Sequence, residues 1–436
     1  MIGNHALFIG RIIMRRTIGG IVLGLVVVLG FANDTTAQNL IDRTVSPQAY
    51  GRAGVYTYEG NDDPLAPLNN PAYLGLLSEH NRYMGTMYTH PSRLGIWTPD
   101  VKISARALNI GFDHRTIQRY FKIKLPLSVG FGYQEAFLDM GKVVKVDENG
   151  RTIGETDAFD RSRGLGIGAA MHGTCWLFSV GLATRYYNYE GSSQSTDYWG
   201  NDFGAILQFD LARVVDPHRS LFPATQRRLQ PLCVASVGYS ALRVGGKYFY
   251  TDQTGASHWY PQNRTGRLFL NLTGGLSIYH PIADHLQIIT AGMAIEGIDN
   301  LSTYRNSHYE YRNPIGNMHV FDDLILGHAN NDIGKAKGFE FTIAELFSFR
   351  SGSAEEEWYI PYNTEGYGVQ LNGMLKILCY NRDLNCSQTL QYLVKHVDIQ
   401  YNWSVHRERE RDNLYYGGQS VLDNVTFESI VLLWKP

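Results

Sequence analysis

Histidines, cysteines and clustered carboxylates are the usual carriers of chemistry, and here none falls in a catalytic or metal-binding spacing. His114, His280 and His285 sit at expected strand ends or turns, where a solvated imidazole is the ordinary reading and a ligand the rarer one. Glu355-Glu356-Glu357 form an acidic loop tip beside Trp358; a cation site there is the weaker reading, because adjacent carboxylates on a loop are ordinarily just hydrated. Gly164-Leu165-Gly166-Ile167-Gly168 has the glycines of a phosphate loop, but no helix follows and no Lys is present. It reads as glycine alternation within a strand. Glu340, Glu345 and Arg350 fall in one expected strand, where ion pairing on a wet sheet face is their natural use. Glu345 and Arg350 have opposite parity, so a bulge must intervene or one of them must lie at a rim. Neither an enzyme nor a bound cofactor or metal is expected.

Of the four cysteines, Cys175 and Cys233 lie in strand-like runs and read as buried or lipid-facing thiols. Cys379 and Cys386 flank the turn 380–385 and are candidates for a disulfide across a hairpin base, which an oxidising compartment permits. A net charge of -2 offers no basic face for nucleic acid.

The elements that carry these residues follow from periodicity. In 392–405, Leu393, Val397, Ile399, Tyr401, Trp403 and Val405 share one parity, while Val394, His396, Asp398, Gln400, Asn402 and Ser404 share the other. In 367–378, Tyr367, Val369, Leu371, Leu375 and Ile377 oppose Gln370, Asn372 and Lys376. A period of two sends successive side chains to opposite sheet faces. Runs of this kind are expected at about 81–90, 101–113, 125–139, 163–172, 175–188, 202–212, 232–242, 266–280, 285–298, 318–328, 336–350, 364–379, 389–405 and 421–434. That is about 14 strands, the tenth being the weakest and supported mainly by the even-number rule. Gaps such as 140–162, 243–265, 299–317 and 406–420 are long and alternate with short ones such as 172–174 and 281–284. The long even gap 213–231 reads as a periplasmic excursion or as a slip in the count.

Together these features predict an all-β fold, a transmembrane antiparallel β-barrel with lipid outside and a wet lumen, in the bacterial outer membrane. Facing Asp398 or Lys376 to hydrocarbon would cost a few kcal/mol each, which fixes the parity. With 45 Gly and 28 Tyr against 15 Pro, the composition suits tight strand packing and an aromatic girdle. A soluble sandwich, solenoid or propeller is the competing reading. Its strands would be shorter, and no fixed repeat is present.

Residues 1–38 read as an export signal: Arg15-Arg16, the apolar core Ile18 to Phe31, and Thr36-Ala37-Gln38 before the cut. A retained anchor is the alternative, though the apolar core is short for a span. Residues 39–80 are too irregular for a strand and too apolar for a solvated tail, which suits a plug or hatch. Residues 81–436 form the barrel.

The stretches Ser46 to Tyr56, Asn61 to Ala66 and Asn70-Pro71-Ala72 resemble the opening of the FadL-like and PorV/PorQ outer-membrane families. Lys337 to Phe341, Leu346 to Gly352, Gly366 to Val369 and Val397 to Tyr401 are similar to their late strands. Arg52 interrupts the glycine run and Tyr73 stands where the family pattern has Gly. The resemblance implies a 14-stranded barrel with an N-terminal segment in the lumen, its motif here being Gly51, Gly54, Asp62, Asp63, Asn70, Pro71 and Ala72. The PorV/PorQ side implies association with type IX protein secretion, with secretion-system components and cargo proteins as partners. The FadL-like side implies passive transport of a hydrophobic ligand. The reading leans to the first. Outer-membrane lipid is a partner in either case.

Overall fold

The computed structural model describes residues 46–56, 62–79, 84–93, 102–122, 126–146, 152–190, 195–215, 229–244, 247–251, 257–261, 265–280, 284–305, 308–311, 314–328, 333–356, 359–380, 387–408 and 425–434. The expected export signal lies outside them. One antiparallel sheet dominates. Its strands are β1 (Met84–His90), β2 (Lys102–Phe112), β3 (Leu127–Val146), β4 (Thr152–His172), β5 (Trp176–Glu190), β6 (Ser195–Asp210) and β7 (Leu229–Val244). They continue as β8 (Thr265–His280), β9 (Asp284–Asn300), β10 (Gly334–Ile343), β11 (Phe347–Glu356), β12 (Tyr359–Gln370), β13 (Val397–Glu408) and β14 (Thr426–Trp434). Each strand pairs with the next, and β1 pairs with both β2 and β14, with Met84 opposite Ile110 and Trp434. The two-residue strand Ser92–Arg93 only adds to the edge of β2. The sheet is therefore a closed 14-stranded barrel with no free edge.

Alternation follows the closure. In β2, Ile103, Ala105, Ala107 and Asn109 are buried, while Leu108 and Ile110 are exposed. In β13, Asp398, Gln400, Asn402 and Ser404 are buried and Ile399 and Tyr401 exposed, as their parity predicts. Every barrel strand contributes at least one exposed large apolar side chain to the outside. Ile110, Phe131, Ile167 and Leu182 form one such row, paired directly across β2 to β5. A closed sheet that is greasy outside and polar within is stable only in a bilayer, and an even-stranded one is the outer-membrane type. The chain is an outer-membrane barrel.

The sequence expectation needs correction in four places. The run 318–328 is no strand: Val320–Ile325 form a π-helical turn that packs Met318 and Leu324 against Leu268 of the wall. The run 336–350 is two strands, β10 and β11, joined by the turn 344–346, in which Ala344 and Glu345 have φ of 55° and 52°. One strand is lost and one gained, so the count stands for a different reason. The turn also resolves the Glu345/Arg350 parity: Glu345 lies in the turn, and Arg350 faces Glu340 directly across β10 and β11.

The third correction concerns 364–379 and 389–405, each of which is half helix. β12 ends at Gln370 and two helices, Leu371–Tyr380 and Gln388–His396, precede β13. Lys376 is therefore not on a strand; it pairs with Glu345 beneath the β10–β11 turn. Leu371, Leu375 and Leu378 also satisfy helical spacing, and period two alone could not tell the two apart. The fourth is 140–162, which is mostly ladder, because β3 and β4 run on as a long hairpin.

The remaining gap expectations hold more simply. Short paired strands occupy parts of 243–265 and 299–317, and 213–231 begins with the helix Leu211–Val215 without disturbing the count. Long connections occur at both ends: 245–264 and 301–333 lie at the extracellular one, and 211–228 and the helical 371–396 at the other, so loop length alternates less cleanly than expected.

The facing of β4 can be tested directly. Ile167→Arg places a charge near mid-depth and should lower the unfolding free energy in lipid vesicles by about 2–4 kcal/mol. An unchanged urea midpoint would mean that this face does not meet hydrocarbon.

Candidate functional site

Residues 46–56 and 62–79 lie against the inward face of the strands. The segment begins with Ser46, whose side chain caps the short helix Pro47–Tyr50 and donates to the buried carboxylate of Asp63. Asp63 also accepts from the Leu65 amide at 2.8 Å, so one acid ties the two halves of the segment together. The helix is capped by Gly51, and the turn that follows carries Ala53 and Gly54 at φ 56° and 83°, the Gly54 amide donating back to the Ala49 carbonyl at 3.0 Å. An αL turn of this kind closes a helix C-terminus and favours glycine.

Backbone this irregular has no ladder of its own, and buried carbonyls must find donors. The wall supplies them. Asn109 donates to Pro64 O at 2.8 Å, and Arg185 to Pro67 O and Leu68 O at 3.0 and 2.8 Å. Ser240 donates to Asn69 O at 2.7 Å, and Ser179 to Ala72 O at 2.6 Å. Asn70 anchors in both directions: its carbonyl oxygen accepts from the Ala72 amide at 3.0 Å and its amide donates to Tyr239 O at 3.1 Å.

The closest approach is to a row of glycines. Gly111, Gly130, Gly168, Gly181 and Gly204 are opposite one another across β2 to β6, one per strand. A Cβ on any of them would come within 3.0 Å of plug atoms from Asn70, Pro71, Leu74, Gly75 or Ser78. The helix Tyr73–Glu79 therefore rests on bare wall backbone, a seat that only glycine leaves open.

On the opposite wall the fastening is ionic. Glu340 of β10 receives both Arg52 of the plug and Arg350 of β11, the latter at 2.6 Å, and all three are buried. Arg350 also donates to Asn402 at 2.9 Å. Two further buried pairs flank this group: Arg185 with Asp202 at 2.7 Å, and Arg267 with Glu296 at 2.8 Å. Arg267 reaches the plug at Asn69.

The third sector is apolar. Met87, Ile103, Ala105, Ala107, Ala136, Leu138, Phe427, Val431 and Leu433 point inward from β14, β1, β2 and β3 onto Tyr50, Leu65 and Leu68 of the plug. Below them a small cleft is lined by Leu74, Leu77, Ser78, Gly85, Asn109, Gly111 and Leu433, and its lining includes the outward-facing Ile110 and Phe131. Parity had marked the lumen as mainly polar; its wall is apolar over β14–β3, and smaller apolar patches also meet the plug at Ile206 and Phe269 and at Ala294, Ala336 and Ala354.

The motif residues named from the sequence meet the wall at separate points. Gly51 abuts Gly366, Asp62 accepts weakly from Gln400 at 3.5 Å, and Pro71 and Ala72 lie over Gly181. Cys379 is in a disulfide and Cys175 and Cys233 are free; Cys386 lies outside the described residues. Arg52, read as an interruption of the glycine run, is an ionic anchor. A lone Arg among small apolar residues was the signal for it.

No family model matches this chain, and no curated protein matches it. Among solved structures it is similar to the toluene transporter TbuX of Ralstonia pickettii, at 12% identity over 90% of this chain and 97% of that one, TM-score 0.39. It is also similar to the Pseudomonas putida toluene transporter TodX, at 11% identity over 89% and 97%, TM-score 0.40. A Pseudomonas aeruginosa FadL homologue aligns at 9% identity over 92% and 100%, TM-score 0.40. The barrel itself rests on the strand pairing of this chain.

Two outcomes are expected. Gly181→Val should push the plug off its seat and raise single-channel conductance in planar bilayers; an unchanged, silent barrel would remove the seat as the fastening. Glu340→Gln removes the carboxylate that two buried guanidiniums share, a loss of about 3–5 kcal/mol. It should appear as a lower temperature for the gel-mobility shift that marks barrel unfolding.

Proposed function

We propose that this barrel passes a hydrophobic small molecule through the outer membrane, with the segment 46–79 as its hatch. The observation that carries this reading is the apolar sector. A channel for polar solutes has no use for a luminal wall of Met87, Ile103, Ala105, Ala107, Phe427 and Val431, and such a wall next to a plug suits an apolar guest. The small side chains Ala105, Ala107 and Ala136 leave the wall shallow there, so a modest shift of Leu65 and Leu68 would open space without exposing charge.

Association with type IX secretion, as a cargo-handling barrel with protein partners, is the second reading. It is favoured by the elements that project at the extracellular end, the paired strands Lys247–Thr251 with Ser257–Pro261 and Ser302–Arg305 with His308–Tyr311. Such hairpins suit a protein partner more than a small ligand.

One pair of measurements separates the two. A deletion strain is complemented with the natural chain or with Ala107→Trp, which fills the apolar sector. Uptake of labelled oleate or naphthalene and the secreted proteome are then read in parallel. Under the transport reading, uptake falls toward the deletion level in Ala107→Trp and secretion is unchanged. Normal uptake in the deletion strain, with surface proteins lost from the cell, would replace it with the secretion reading.

A further inference from the structure

The outer wall carries a charge cluster where the lipid-facing band ends. Arg106 of β2, Glu135 of β3 and Arg163 of β4 are directly opposite one another. Their parity is that of Leu108, Phe131 and Leu165, so they face outward. Arg161 joins from β4, and all three guanidiniums converge on the Glu135 carboxylate. The Tyr133 hydroxyl donates to the same carboxylate at 3.0 Å. Glu135 is buried beneath its partners, whereas the Arg106 and Arg163 side chains are 60% and 43% exposed.

Position along the strands fixes what this cluster meets. The same cross-strand row continues to Tyr88 on one side and to Tyr186 and Trp199 on the other. Tyr and Trp mark the headgroup level, because their rings want hydrocarbon and their polar atoms want water. Toward the barrel centre comes the apolar row Ile110, Phe131, Ile167 and Leu182. Toward the loops come the outward aromatics Phe137 and Phe159 and then charged residues, with Lys142 paired to Glu155 at the exposed end of the β3–β4 hairpin. The cluster therefore lies at the extracellular interface, where an outward charge costs about 0–1 kcal/mol against 2–4 at the midplane.

Charge arithmetic decides between a structural and a binding role. One guanidinium would neutralise Glu135, and the other two are then surplus for that purpose. With three cations and one anion the patch is formally +2. Guanidinium forks match phosphate oxygens two at a time, and phosphate is the anion that membrane headgroups present at this depth. We propose that Arg106 and Arg163, organised by Glu135 and Arg161, form a binding site for a phosphorylated lipid headgroup of the outer leaflet. The aromatic neighbours Tyr88 and Trp199 would flank its acyl chains. This site is on the outside of the barrel and is independent of what the lumen carries.

The test uses the full-length barrel in neutral detergent, with retention of lipid A read by native mass spectrometry. Arms with phosphate-free lipid A and with inorganic phosphate run in parallel. Arg106→Gln/Arg163→Gln leaves the Arg161–Glu135 pair neutral and should weaken retention about twenty-five-fold, two cationic side chains at roughly fivefold each. Arg106→Lys/Arg163→Lys keeps the charge but loses the forks, and should retain lipid A at a level between the natural chain and the Gln variant; retention no better than the Gln variant's would mean that charge at this patch does not bind the headgroup. A heat-dependent gel-mobility shift in each variant establishes that it is folded. Equal retention by the natural chain and the Gln variant, equal retention of phosphate-free lipid A, or protection by inorganic phosphate alone at the same concentration would each overturn the proposal.

Discussion

The organisation of this molecule depends on how closely an irregular segment can approach a sheet. A closed barrel of fourteen strands encloses more volume than its inward side chains need fill, and the chain fills it with residues 46–56 and 62–79. That segment has buried peptide groups that water cannot reach, so the wall must come close enough to serve them. Five mutually opposed glycines remove the side-chain layer over β2–β6 and let two backbones meet. Ser179, Arg185, Ser240 and Asn109 then reach the plug carbonyls from positions beside the bare strip. Were the strip built of alanine, each Cβ would stand where plug atoms now lie.

The other two contacts differ from this one in kind. Arg52 inserts a charge that is tolerable only because Glu340 and Arg350 are already arranged to meet it, and the Arg350–Asn402 bond fixes that arrangement. Such a group is directional and intolerant of displacement. The apolar sector over β14–β3 is the reverse. Its packing of Leu65 and Leu68 on Met87, Ile103 and Phe427 is non-directional, and another apolar body of similar size could replace one side of it at little loss.

Much of this was legible in the sequence, and what was not has physical reasons. Strand facing in β2, β8 and β13 follows directly from alternation, since a one-residue slip would turn Asp398 or Asn271 to hydrocarbon. Alternation is silent where a segment is short and apolar throughout. Leu371 to Tyr380 suits a strand or a helix equally, and Ala344-Glu345-Leu346 carries neither Gly nor Pro to announce a turn. The plug was recognisable from its composition, but its seat was not. Gly111, Gly130, Gly168, Gly181 and Gly204 each look ordinary in their own strand, and become a row only once the register between strands is known. The same holds for Arg106, Glu135 and Arg163, far apart in the chain and adjacent only in the ladder.

These unequal contacts determine which side of the lumen can yield. Separating the plug from β10–β11 would strand buried charges. Lifting it from β2–β7 would leave the carbonyls of Pro64, Pro67, Leu68, Asn69 and Ala72 without their wall donors. Against β14–β3 the plug could retreat at the loss of one described wall bond, Asn109 to Pro64 O, because Leu65 and Leu68 meet Met87, Ile103, Ala105, Ala107 and Val431 by apolar contact. That sector borders the seam where β1 closes the barrel on β14. A guest of matching hydrophobicity entering there would replace one apolar contact with another. The direction of any opening is thus set less by flexibility than by which contacts have a substitute.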